Sequence, residues 1–410
     1  MAKIFIEEST LSAIGDSIRA KTGRANMIPP LNMPTEIASI QTDGGGSSSP
    51  VSANDVTFYD YDGTIIASYS LEEAQGLTAL PYGLIHDGLT FKGWNYTLEK
   101  VKTFTRSMNV GAMYITNDRK TRLHIHITDK ARSTVPLYIS QTVANGVTID
   151  WGDGSTTETL AGTGNLRTSH AYGTAGEFTI SLSVADGCTL GFGEESSSYC
   201  VMGGTDDNNR VYCNMLQKVE IGSGVTRIAR RAFYNCGSLS SMIIPDGVTS
   251  IGSSAFYSCY SLSSIIIPDG VTRIEDHTFT SCCSLSSIII PDGVTSIDGS
   301  AFYSCCSLSS IIIPDGVTSI GNYTFNACYS LSSIIIPDGV TSIGSYAFFR
   351  CYGVAEYHLK PITPPTLSDI NAFKDIRKDC IIYVPQGSLE AYQTATNWAT
   401  YASHMQEETA

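Results

Sequence analysis

Charge is scarce in this chain: Asp, Glu, Lys and Arg make up 16% of its 410 residues. The 25 Lys and Arg against 39 Asp and Glu leave a net charge of -14, and the basic residues are scattered. Phosphate binding needs clustered Lys and Arg, so nucleic acid is not an expected partner. No run of 18 apolar residues is present, and no membrane insertion is expected. The opening MAKIFIEEST lacks a basic stretch followed by an apolar one, and no lipidation motif is visible. The expectation is synthesis in a cytoplasm. Walker loops, nucleophile elbows and zinc signatures are also missing, so neither an enzyme nor a cofactor or metal is expected. His124 and His126 alternate on one strand but lack a placeable third ligand. Asp60 and Asp62 before Gly63 lack the remaining ligands of a calcium loop.

Repetition is what the chain has in abundance. Leu239, Leu262, Leu285, Leu308 and Leu331 hold one position of a 23-residue unit. Pro245, Pro268, Pro291, Pro314 and Pro337 hold another, and Phe233, Phe256, Phe279, Phe302, Phe325 and Phe348 a third. A fixed period of this size means stacked units, each touching only its neighbours. The spacing predicts a solenoid over residues 214–359, with degenerate copies starting at Leu216 and Val354. Leu262, Ile265 and Ile267 point inward from a strand. Pro-Asp-Gly then turns the chain, and Val271, Ile274, Phe279 and Cys282 fill the opposite wall. At ~4.8 Å between strands, about six coils make a parallel sheet roughly 30 Å long.

Twelve cysteines raise the question of a disulfide framework. Yet Cys236, Cys259, Cys282, Cys305, Cys328 and Cys351 recur once per repeat, as packing positions do, and read as a reduced core ladder. Some pairing is the other reading; Cys283 and Cys306 are the first candidates to oxidise.

Upstream, residues 1–41 read as a small helical module. Ser9 or Thr10 caps a helix carrying Leu11, Ile14 and Ile18, and Thr35 caps a second, from Pro34 to Ile40. Both are too short to stand alone and need copies of themselves or a docking site. Residues 42–51 are a Gly/Ser linker. In 52–110, VTFYDY and TIIASYS flank Asp62-Gly63 as a hairpin, and Ser70 with Glu73 forms a capping box over a helix at 71–76. Trp94 reads as core. Short strands in 111–195 (MYIT, RLHIHIT, VPLYIS, VTIDWGDG, FTISLSVADG) predict a β-sandwich, and 196–213 a connecting loop.

Several segments resemble three known families. WGDGS (151–155) with SHAYGTAGEFTISL (169–182) resembles the PKD-type immunoglobulin-like domain through Trp151, Gly152, Asp153, Gly154, His170, Tyr172, Gly176, Phe178 and Thr179. The repeat S-L-S-S-I-I-I-P-D-G-V-T-S-I-G-x-x-A-F-x-x-C-x resembles the BspA-like (Treponema-type) leucine-rich repeat of bacterial surface adhesins. Residues 360–410 resemble that family's C-terminal cap, with IIYVP and a Ser388–Asn397 helix closing the open sheet edge. STLSAIGDSIRAKTG…MIPPLNMPTEIASIQ resembles the start of tail proteins from phages of Firmicutes, and FYDYDGTIIASYS…LP…HDGLTFKGWN a segment found beside it in such proteins. The expected fold is multidomain and mainly β. It comprises short N-terminal helices, a small α+β unit, an Ig-like sandwich and a leucine-rich-repeat solenoid with its cap.

The candidate ligand surface is the outward strand face. Ser241, Ser264, Ser287, Ser310 and Ser333 form one row and Ile243, Ile266, Ile289, Ile312 and Ile335 the next. Five exposed isoleucines in line mark an interaction surface. Receptor contact, self-association, cover by another subunit or domain, and simple exposure are all open. Variation among near-identical repeats gives a second candidate. Ser254, His277, Ser300, Tyr323 and Tyr346 share one position, and Tyr260, Cys283, Cys306, Tyr329 and Tyr352 another. Tyr and small polar residues suit adaptable binding, although drift at tolerant loop sites gives the same pattern.

Adhesin-like repeats, no export signal and an N-terminal module needing partners fit a virion-associated tail fibre assembled in the host cytoplasm. The resemblance implies tail proteins as partners of the N-terminus and a host-surface receptor, glycan or protein, at the solenoid. A homo-oligomer, usually a trimer, would be the form. The alternatives are a surface adhesin exported non-classically and an intracellular repeat scaffold.

Overall fold

The computed structural model describes residues 55–104, 108–128, 133–193, 199–204 and 210–408. The helices expected in 1–41 and the 42–51 linker lie outside them. The described chain is mainly β.

Asp55–Tyr59 (β1) and Ile65–Ser70 (β2) pair antiparallel around the Asp62-Gly63 turn, where Gly63 adopts a φ of +89° that favours glycine. Ser70 caps Leu71–Gln75 (α1): its hydroxyl accepts from the Glu73 amide, and Glu73 accepts from the Ser70 amide. Leu89–Trp94 (β3), Leu98–Val101 (α2) and Met108–Thr116 (β4) complete a sheet of order β2-β1-β4-β3. β4 thus runs through residue 110, the boundary expected from the sequence, and carries MYIT into this sheet and not into the sandwich. Val56 and Phe58 close their core with Met108 and Val110, which holds β4 beside β1.

Thr121–Ile127 (β5), Thr134–Gln141 (β6), Val147–Asp150 (β7), Glu158–Thr159 (β8), Gly164–Ala171 (β9), Gly176–Val184 (β10) and Leu190–Phe192 (β11) form two sheets. Alternate residues of both, among them Leu123 and Ile125 on β5 and Leu137 and Ile139 on β6, share one core. Tyr199–Cys200 (β12) and Gly203–Gly204 (β13) make a tight hairpin, and Arg210–Cys213 (α3) a single turn. Leu216–Glu220 (β14) then pairs with β5, and Val225–Ile228 (β15) with β11. The region is therefore not a sandwich standing apart from the repeats, because the first coil extends both of its sheets. An open solenoid end exposes unpaired backbone groups, and β5 and β11 satisfy them.

The coils contribute one strand to either side, except that 310–312 forms no ladder, in a register of one repeat: Ser264 lies against Ser287 and Ile320 against Ile343. The solenoid has about eight turns, more than the six expected, because the degenerate end copies and Ile381–Val384 also coil. Inside, Phe233, Phe256, Phe279, Phe302, Phe325 and Phe348 form a stacked column with centroids 5.3 to 5.6 Å apart. Beside it runs the cysteine ladder. From Cys259 to Cys351 each thiol donates to the carbonyl of the preceding coil's phenylalanine at 3.1 to 3.2 Å. Burial pushes the Cys351 thiol up to about 12, as suits a packing group.

At the far end, Ile381–Val384 continues the sheet and Met405–Glu407 forms its last strand. IIYVP thus extends the edge and does not close it. Closure comes from aromatic packing: Leu389–Thr394 (α4) and the 3-10 turn Trp398–His404 lay Tyr392 and Trp398 over the core, Trp398 against Phe373 at 5.3 Å.

Candidate functional site

The outward strand face is largely occupied by this chain itself. β4 crosses the strands at 241–243, 264–266 and 287–289. Ile243 and Ile289 are buried, and Ile266 is half-buried. Ile243 and Ile266 pack with Tyr61, Ala112 and Tyr114, and Ile312 packs against the cluster around Val56 and Phe58. The expectation of a continuous exposed isoleucine row is corrected. The row is the seat of the 55–116 sheet, and only Ile335 lies outside that contact. A glycine makes the fit: a Cβ on Gly111 would stand 2.8 Å from Ile289 Cδ1 and 2.9 Å from Ile266 Cδ1. Ser264 is buried and donates to the Tyr61 carbonyl at 3.2 Å, Ser241 and Ser287 are half-buried, and Ser310 and Ser333 remain exposed.

Polar contacts set the docking register. The Pro-Asp-Gly turns place Asp246, Asp269, Asp292, Asp315 and Asp338 in a column along the solenoid. Tyr96 donates to Asp292 at 3.0 Å, and Lys100 pairs with it at 3.2 Å. Burial pushes the Asp246 carboxyl up, partly offset by Lys92. Burial likewise raises Asp269, with Asp246 and Asp292 adding to it.

Where this sheet meets the solenoid, Glu220 is buried on β14 among Lys218 at 2.8 Å, His124 at 3.6 Å and Arg122 at 3.9 Å. Lys218 also lies over the Tyr61 ring. Burial pushes the Glu220 carboxyl up, but hydrogen bonds and charge from His124 and Lys218 prevail and hold it at about 2 against an ordinary 4.5. A depressed carboxylate stabilises the fold above its unfolded pKa and loses that contribution as pH falls toward the folded one. We expect about 3 kcal/mol of stability to fade between about pH 4.5 and 2. Urea melts of the wild type and Glu220→Gln across that window check it: the variant should lack this component of the slope.

The other sequence candidates have structural places. His126 is exposed beside Glu177, while His124 meets Thr179 and Glu220. Asp60 is buried and bonded to His86 at 2.7 Å and to the Tyr61 amide. Asp62 accepts from the Thr64 amide. In the WGDGS turn, Asp153 accepts from the Ser155 amide and pairs with His170, whose ring stacks on Trp151. Ser155 and His170 hold the Asp153 carboxyl well below the usual range.

The variable positions emerge together on the turn between the two strand series. His277, Tyr323, Tyr260, Tyr329 and Tyr352 are exposed, and Tyr346 is half-buried. Ser254, His277, Ser300, Tyr323 and Tyr346 all have φ between +56° and +59°, a left-handed geometry costly for side-chain-bearing residues. The cost is offset by backbone bonds to the next coil, such as Tyr323 N–H to the Ser345 carbonyl at 2.8 Å. Tyr323 stacks on Tyr346 at 5.1 Å and Tyr329 on Tyr352 at 5.8 Å. Sequence reading missed a neighbouring aromatic row, Tyr234, Tyr257, Tyr303 and Phe349, although each directly follows a core phenylalanine. Tyr234 stacks on Tyr257 at 4.7 Å, and Phe349 meets Tyr346 edge-on at 5.2 Å. Such a surface offers ring faces and hydroxyls, with Arg231 over the Tyr234 ring and Arg350 over the Phe349 ring.

No curated protein matches the chain. Among solved structures it is similar to a leucine-rich repeat protein of T. pallidum, with 28% identity over 41% of this chain and 78% of that one, TM-score 0.30. It is similar to a leucine-rich repeat protein from Bacteroides ovatus, with 25% identity over 41% and 55% of the two chains, TM-score 0.29. A leucine rich cell surface protein from Faecalibacterium prausnitzii is 24% identical over 49% and 82%, TM-score 0.27. Residues 208–330 and 295–385 match the model of the BspA type leucine rich repeat region, in six copies. The solenoid of this chain is built of BspA-type leucine-rich repeats.

Proposed function

We propose that the protein is a cell-attachment protein, a phage tail fibre whose solenoid contacts a receptor on the host surface. The observation that carries this reading is the set of pairwise-stacked tyrosines on the turn flank, exposed Tyr323 with half-buried Tyr346 and exposed Tyr329 with Tyr352. Recognition in this reading belongs to the flank, since the strand face is taken. The N-terminal segment would dock to the tail and assemble the chain as a trimer. A bacterial surface adhesin is the second reading, favoured by the BspA-type repeats.

The test is binding of labelled full-length protein to a panel of Gram-positive cells. Aromatic anchors in interfaces are worth about 2 kcal/mol or more, so Tyr323→Ser/Tyr346→Ser and Tyr329→Ser/Tyr352→Ser should each lose about tenfold or more in affinity. Unchanged binding by both would remove the flank from recognition. Fractionation separates the two readings: a tail protein sediments with phage particles, an adhesin with cell envelopes.

A further inference from the structure

We propose that Cys200 and Cys213 form a disulfide that fastens the entry to the solenoid. Their Sγ atoms lie 2.7 Å apart, both fully buried. Non-bonded carbons rest at roughly 3.5–4.0 Å and sulfur is the larger atom, whereas a disulfide spans about 2.05 Å. The pair is therefore at bond-forming distance. The two residues come from different pieces of the joint. Cys200 sits on the β12–β13 hairpin, where Val201 accepts from the Tyr138 amide at 2.9 Å and donates to the Ala232 carbonyl at 2.8 Å. Cys213 ends α3, just before β14. A bond between them ties a hairpin anchored on β6 to the chain that starts the first coil.

Cys236 is the third thiol here, and all three sulfurs lie within 4.8 Å of one another. Cys236 heads the cysteine ladder. A metal would have to sit on three buried thiolates, and among the described residues no fourth His, Cys, Asp or Glu joins them. Structural zinc takes four ligands, and uncompensated charge in an apolar core is costly. A disulfide is neutral and needs no further ligand. Burial pushes the Cys200 thiol up, but donors from Cys213 and Cys236 and the backbone at Met202 prevail and pull it well below the usual thiol range. The thiolate, not the thiol, is the attacking form.

The oxidant is a low-molecular-weight disulfide such as oxidised glutathione. Cys200 thiolate attacks one of its sulfurs and expels one glutathione thiolate. Cys213, giving up its proton, then attacks Sγ of Cys200 and expels the second. One protein disulfide forms, and one glutathione disulfide is reduced to two thiols. The rival pair, Cys283 and Cys306, stands at 3.9 Å, and burial pushes the Cys283 thiol up to about 11.

The test uses full-length protein in a glutathione redox buffer, both as isolated and after refolding there, so that buried thiols meet the oxidant. Denaturing alkylation and peptide mapping follow. In the refolded sample two of the twelve thiols should resist alkylation, and one linked peptide pair should join Cys200 to Cys213. Cys236→Ser and Cys283→Ser/Cys306→Ser should keep that link, and Cys200→Val/Cys213→Val should lose it. Twelve alkylated thiols in folded protein, a link only at Cys283–Cys306, or stoichiometric zinc held by the folded protein would each overturn the proposal.

Discussion

Replacing Ile289 by aspartate should release the 55–116 sheet from the solenoid while the coils stay folded. The neighbouring Ile288 and Ile290 point into the solenoid, but Ile289 faces β4 and sits against Gly111. Its loss removes about 2 kcal/mol of apolar burial, and an unpaired carboxylate under β4 adds several more. A penalty of about 4 kcal/mol corresponds to about a thousandfold loss of docking. Hydrogen exchange should show it as faster exchange of β4 and β1 amides, with the 319–343 coils unchanged. Ile335→Asp is the internal control. It occupies the same repeat position two coils on, beyond the sheet, and should leave β4 protection as in the wild type. Equal protection of β4 in both variants would mean that the contact holds the sheet by other means.

Phe302→Ala should be the most destabilising single change in the repeats. Phe302 is fully buried, stacked on Phe279 and Phe325, and its carbonyl receives the Cys328 thiol. Truncation of a buried phenylalanine costs about 3–5 kcal/mol because the walls collapse only partly. In a solenoid each coil is supported by its neighbours alone, so a void at the centre also weakens coupling between the halves. Urea unfolding followed by near-UV signal should show a lower midpoint and a broadened or divided transition. Cys305→Ser keeps the volume and the donor to the Phe279 carbonyl, and should cost about 1 kcal/mol. A Phe302→Ala midpoint equal to that of Cys305→Ser would refute a role for the stacked column.

The repeats were legible because a solenoid is a local code. Positions 23 apart must pack alike, so Leu262, Ile265, Phe279 and Cys282 could be placed inside from spacing alone, as could the Ser70–Glu73 cap. The fate of the Ile243–Ile312 row could not be read that way. Periodicity shows that the row is apolar and points outward, but what covers it lies more than 125 residues upstream, in and around β4. The small Gly111 was the one local sign of a close approach. Tertiary structure alone also decided that β5 and β11 extend the solenoid's sheets, since strand pairing across distant segments depends on which edges would otherwise stay unpaired. The same holds for Cys200 and Cys213. Cys213 stands one repeat before Cys236, but Cys200 does not keep the spacing, and only the folding of the joint brings their sulfurs together at the head of the cysteine ladder.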